Sequence, residues 1–234
     1  MNRAVEANLA MIRHVAGRLG PLRERVVFLG GAATALLVTD SAAPDVRVTT
    51  DVDVIVEIAS RGDYYRLSDA LRDAGFAEDT SEGAPLCRWT VDGVVVDVMP
   101  TDEEILGFSN QWYRQAMHYA TVQAIAEDMT IRLVTAPYFL ATKIDAFYSR
   151  GNGDFIASHD MEDIITLLDG RREIVDEVMA APGEVKEFLS RTFGEFLHNR
   201  SFLDALPGHL LPDQASQQRI PILMKILHAI ATSV

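Results

Sequence analysis

Three aspartates interrupt runs of valine: Asp51 and Asp53 in TTDVDVIVEI, and Asp97 in VVVDVMP. The alternation of Asp and Val predicts a strand, and residues two apart on a strand leave the same face. Asp51 and Asp53 then carry carboxylates about 7 Å apart on one side, while Val52, Val54 and Val56 point into a core. Like charges at that spacing repel and are costly to desolvate unless a cation lies between them. Asp97 sits in a second apolar run, where an unpaired carboxylate is equally costly to bury. Three converging oxygen donors suit magnesium, which takes one or two carboxylates and completes its shell with phosphate and water. They can also hold two ions about 4 Å apart, which clamp the attacking and leaving oxygens of a phosphoryl displacement.

The neighbouring elements decide whether the three can meet. CRWTV and VVVDVMP flank Asp92-Gly93, the strongest short-range signal for a β-hairpin. If that hairpin pairs beside the Asp51 strand, Asp97 joins the other two. Upstream, RVVFLGG reads as a buried strand running into a tight turn, and 32–38 as a helix. Gly30 and Gly31 carry no Cβ, so backbone N–H groups at a helix start can approach a phosphate, and Thr34 adds a hydroxyl. A Gly-Gly pair alone occurs in many turns; followed by a helix, Asp-x-Asp and a third strand aspartate it is far more specific.

Around this core, residues 1–20 read as an amphipathic helix, 63–74 as a helix stopped by Gly75, and 121–125 with 130–134 as a strand pair. From 136 the periodicity is helical, over 136–149, 160–168, 174–179, 184–197 and 221–232. The expected class is α/β (α+β): a small mixed β-sheet in 1–135, then a helical C-terminal region in 136–234.

Bulk composition excludes some functions. The net charge is −13, and acids outnumber bases in both regions, which gives no general attraction to a nucleic-acid backbone. Arg13, Arg18, Arg23 and Arg25 form the densest basic group, read as a solvated face or as a local groove. Cys87 is the only cysteine, so there is no disulfide framework and no cysteine zinc site; it reads as buried filler. No run approaches the roughly 20 apolar residues of a membrane span, and no signal peptide is evident, so the expectation is a cytoplasmic protein without a membrane partner. Trp89, Trp112 and the histidines at 14, 118, 198, 209 and 228 read as structural.

Lysine is scarce, with three against 18 arginines. Lys143 falls on the apolar stripe of Leu140, Ile144 and Phe147, and an inward ammonium needs an anion. A triphosphate would serve; so would Asp160 or Asp163 across a helix interface. Asp160, at a helix N-terminus, also reads as a cap.

Gly30-Gly31, then Arg47-x-Thr49-Thr50-Asp51-x-Asp53, then Asp97, resembles the nucleotidyltransferase superfamily that includes DNA polymerase beta. Within it, the Arg-x-Thr-x-Asp-x-Asp form is similar to the toxin-like nucleotidyltransferases of abortive-infection toxin–antitoxin systems. LATKIDA around Lys143, Arg150 and the Asp160-x-x-Asp163 stretch extend the likeness over 26–170; His159 stands where that family has Arg or Lys. The resemblance implies a helical domain closing over the nucleotide. It implies transfer of a nucleoside monophosphate from an NTP to an acceptor hydroxyl by two Mg²⁺ ions, or Mn²⁺, on Asp51, Asp53 and Asp97. Gly30, Gly31, Thr34, Arg47, Thr50, Lys143 and Asp160 would lie at the nucleotide. The acceptor would be a tRNA 3′ end or a small molecule, and a cognate antitoxin protein would be a partner. A non-catalytic nucleotide-binding module, or a structural domain whose aspartates are surface turns, remain the readings from other classes.

Overall fold

The computed structural model describes residues 3–40, 42–43, 46–150 and 153–233. Met1 and Asn2, which open the expected first helix, lie outside them. Chain contacts cluster into two compact units, Met1–Ala35 with Arg47–Thr135, and Leu36–Val46 with Ala136–Val234.

The first unit is built on a mixed sheet. It contains α1 (Arg3–Leu19), β1 (Val26–Leu29), the start of α2 (Gly30–Leu37), β2 (Asp51–Val56), α3 (Arg61–Asp73), β3 (Ala77–Glu78), β4 (Arg88–Val91), β5 (Val94–Pro100), α4 (Glu103–Leu106), α5 (Tyr113–His118), β6 (Thr121–Ala126) and β7 (Met129–Leu133). Among the described residues the strand order is β3-β4-β5-β2-β1-β7-β6. β2 runs antiparallel to β1 and parallel to β5, and β5 is antiparallel to β4. The alternation expected of the Asp51 strand holds: Val52 and Val54 are buried, while Asp51 and Asp53 on the other face are half-buried. Asp92 and Gly93 both take positive φ, 49° and 83°, the pair of values a two-residue hairpin turn demands. That turn fixes the β4–β5 register. α1 packs against β2, β5 and β6, burying Ile12, Val15, Ala16 and Leu19.

Some elements differ from expectation. α2 begins at Gly30 rather than 32, because glycine adds no apolar side chain to a periodic pattern. The short helices α4 and α5 were not expected, since one or two turns carry no periodicity. α4 is set instead by Asp102, whose side chain accepts from Glu104 N at 3.0 Å.

The second unit is helical: α6 (Ala136–Ser149), α7 (His159–Gly170), α8 (Ile174–Ala180), α9 (Gly183–His198), α10 (Arg200–Ala205), α11 (Gln214–Gln217) and α12 (Ile220–Ala231). α6 packs on α7, α8 and α9, and α12 on α7, α8 and α9. Phe147, Phe155, Phe196 and Phe202 form an aromatic cluster within it. Asn199 and Asp213 cap the unforeseen α10 and α11. Leu36–Val46 groups with this unit although it lies within 1–135. The N–H groups of Thr39 and Asp40 donate to Gly170 O at 2.9 and 2.8 Å, Arg171 donates to Leu37 O, and Arg172 and Arg219 both grip Asp40. No described helix is long and apolar enough to cross a membrane.

Candidate metal centre

Asp53 and Asp97 are direct partners in the parallel ladder of β2 and β5, so their side chains leave the sheet together. Asp51 shares that face. One oxygen from each carboxylate lies within 4.8 Å of the others, the one such cluster among the described residues. Asp97 is 8% exposed. Hard carboxylate oxygens at this spacing are the donor set that Mg²⁺ or Mn²⁺ takes, so the residues fit a divalent cation.

Asp51 and Asp97 are held from behind. Thr49 Oγ1 donates to Asp51 Oδ1 at 2.6 Å. Asn8, wholly buried on α1, fixes the segment that carries Thr49: its Nδ2 donates to Arg47 O at 2.9 Å and its Oδ1 accepts from Thr49 N at 3.2 Å. Arg88 on β4, opposite Asp97 in the ladder, donates from Nε and Nη2 to the two oxygens of Asp97, each at 2.9 Å. The hydrogen bond to Asp97 raises the guanidinium's proton affinity, against the opposing pull of burial. Asn8 and Arg88 were not among the expected site residues.

The glycine turn completes the cradle. Gly30 has φ +73°, and a Cβ there would overlap the carboxylate of Asp53; a Cβ on Gly31 would strike the Arg47 guanidinium and crowd Thr49 Oγ1. The two glycines therefore let Asp53 and Arg47 lie directly on the main chain. Thr50 is exposed in the bend before β2. Thr34 is 1% exposed, and its hydroxyl has no hydrogen-bond partner among the described residues; it is enclosed beneath the turn rather than open upon it.

Lys143 and Asp160 lie in the helical unit and meet each other. Lys143 Nζ is 3.0 Å from Asp160 and 2.6 Å from Asp163, with all three buried. Arg150 adds two hydrogen bonds to Asp160, at 3.2 and 3.0 Å. Burial pushes the Asp160 carboxyl up, but Lys143 and Arg150 outweigh it and hold it below the usual carboxylate range. The cap of α7 is Ser158, which accepts from Met161 N; Asp160 stands inside the first turn and spends its oxygens on the two cations.

Most of the basic group at 13–25 is bound within the first unit: Arg13 donates to Ile125 O at 2.5 Å, Arg18 pairs with Asp92, and Arg23 donates to Gly20 O. Cys87 is buried, and burial, with the nearby Asp97 charge, pushes its thiol up to about 12. Trp89 and Trp112 are buried.

No protein-family model matches the chain, and no curated protein matches it. Among solved structures it is similar to an antigenic nucleotidyltransferase-like protein from Paracoccidioides brasiliensis, with 22% identity, 96% of this chain and 93% of that chain covered, and a TM-score of 0.50. The fold is thus nucleotidyltransferase-like, with a mixed sheet carrying a cluster of three acids that could hold a metal ion.

Proposed function

We propose that the protein is a metal-dependent nucleotidyltransferase that moves a nucleoside monophosphate from an NTP to an acceptor hydroxyl, releasing pyrophosphate. The observation that carries this reading is the in-register pairing of Asp53 with Asp97, which brings three carboxylates within 4.8 Å on one sheet face. In the reaction the acceptor oxygen forms a bond to the α-phosphorus, the bond to the pyrophosphate oxygen breaks, and the hydroxyl proton leaves to a base. Asp51, Asp53 and Asp97 would hold one or two Mg²⁺ ions, which neutralise phosphate charge and polarise the attacking hydroxyl. Asp97, oriented by Arg88, is also the residue suited to accept the proton. Arg47, lying over Gly31, would meet a phosphate as the bidentate cation that carboxylates and phosphates favour, and Thr50, exposed before β2, would add a hydroxyl contact.

The acceptor is either a tRNA 3′ end, with the chain acting as a toxin restrained by an antitoxin protein, or a small molecule. The net charge of −13 favours a cationic small molecule over an extended RNA surface. Incubation with α-labelled NTPs, Mg²⁺ and either total tRNA or a metabolite extract separates the two. Asp53→Ala should abolish label transfer on either acceptor while the fold is retained, since removing one of three like charges relieves repulsion. Transfer at wild-type rate by that variant overturns the proposal.

A further inference from the structure

Arg88 holds both oxygens of Asp97, one of the three clustered carboxylates. Their side chains are 29% and 12% exposed, so the pair is only partly screened by water. A carboxylate offers about four lone-pair directions. The fork uses one on each oxygen and leaves one on each for a cation. Arg88 and a metal ion can therefore share Asp97, but not without repelling each other.

We propose that Arg88 is a positioning residue that also acts as a resident counter-cation, fixing the rotation of Asp97 while lowering the affinity of the three-carboxylate centre for divalent ions in the absence of nucleotide. This deepens the nucleotidyltransferase reading and rests on it. The charge argument is direct. Arg88 sets one positive charge against Asp97, so a dication entering the centre meets less net negative charge than it would without the guanidinium. The geometric argument is separate: two parallel hydrogen bonds lock the carboxylate plane, which a point charge cannot do.

The two contributions have opposite signs, and substitutions separate them. Arg88→Gln removes the charge and the fork. Repulsion between a guanidinium and a dication on the same carboxylate acts across a few ångströms, so its loss should tighten binding of Mn²⁺ alone on the order of tenfold. Misorientation of Asp97 should at the same time slow nucleotide transfer roughly 10- to 100-fold. Arg88→Lys keeps the charge and loses the fork: Mn²⁺ affinity should stay near the wild-type value while transfer falls.

The experiment is a titration of purified protein with Mn²⁺ and no nucleotide, followed by the loss of the free-ion paramagnetic resonance signal, for wild type and both variants. The label-transfer assay is run alongside. A residue that merely supported the hairpin would weaken Mn²⁺ binding when replaced, so tighter binding by Arg88→Gln is a signature that role cannot produce. Unchanged or weaker Mn²⁺ binding by Arg88→Gln, with the wild type binding normally, overturns the role of Arg88 and leaves the nucleotidyltransferase reading standing. Failure of the wild type itself to bind Mn²⁺ overturns both. Should Arg88→Gln not fold, Arg88→Lys decides: wild-type transfer by that variant overturns the proposal, and depressed transfer with wild-type Mn²⁺ binding supports it.

Discussion

The carboxylate of Asp53 occupies the space into which a side chain on residue 30 would grow. Gly30 is thus constrained twice, by its φ of +73° and by the acid pressed against its α-carbon. Alanine at that position must either adopt a strained backbone or push Asp53 out of line with Asp97. Gly30→Ala should cost roughly 1–3 kcal/mol of stability, read by urea denaturation. It should also weaken Mn²⁺ binding more than Gly20→Ala, whose glycine has positive φ but open space around it. Equal Mn²⁺ affinities for the two variants would show that the contact with Asp53 has no bearing on the metal centre.

Asn8 links a helix to the loop before β2 through both halves of its amide. Replacing it by alanine removes a buried partner from Thr49 N and a part-buried one from Arg47 O, at about 1–3 kcal/mol for a buried group left unsatisfied. Thermal or urea unfolding checks the stability. Hydrogen exchange should show faster exchange of the Thr49 amide before any change in the β4–β5 hairpin.

Lys143 is buried between Asp160 and Asp163. Lys143→Met leaves two carboxylates facing each other without their ammonium and should destabilise the chain by roughly 3–5 kcal/mol. Adding Asp163→Asn to that variant should recover part of the loss, because it removes one of the two carboxylates that shared the ammonium. No recovery in the double variant would refute the pairing as the source of stability.

Acid should expose a second ion network. The Arg172 hydrogen bond, with help from Ala42 N–H and Arg219, holds the Asp40 carboxyl at about 2 against an ordinary 3.8. The folded chain thus binds this proton less readily than the unfolded chain, so acid favours unfolding. The stabilising contribution is complete above pH 3.8 and disappears as the pH falls through 2. Asp160, also depressed, acts in the same direction. Arg172→Gln should therefore shallow the loss of stability on the acid limb, measured as melting temperature between about pH 5 and pH 2, and leave neutral-pH stability lower than wild type.

Cys87 should resist thiol reagents. With its proton held to about 12 by burial, almost no thiolate exists at pH 8. Ellman's reagent should label the native chain at a small fraction of the rate seen in urea. Rapid labelling of the native chain would mean that the β4 end of the sheet opens readily.

Much of the centre was legible in the sequence because strand periodicity and turn chemistry are local rules. Asp51 and Asp53 share a face by the period of two alone, and Asp92-Gly93 sets a two-residue turn. Counting outward from that turn places position 88 opposite 97, so Arg88 was within reach of the same reasoning, although arginine in a strand gives no signal by itself. Residue type and spacing likewise marked Lys143 as an inward ammonium in need of an anion.

Other features needed the folded chain. Whether β5 lies beside β2, and in a register that sets Asp97 against Asp53, depends on which strands pair across long stretches of sequence, where many arrangements bury similar apolar area. The choice between carboxylate and phosphate as the partner of Lys143 is a matter of distances between helices, and the structure shows Asp160 and Asp163 in contact. Asn8 stands 39 residues from Arg47, with no periodic or motif signal joining them. The grouping of Leu36–Val46 with the helices rests on hydrogen bonds to residues more than 100 positions away. Local patterns fix which face a side chain takes; only tertiary packing decides what that face meets, because the energy of a buried charge is set by its neighbours in space.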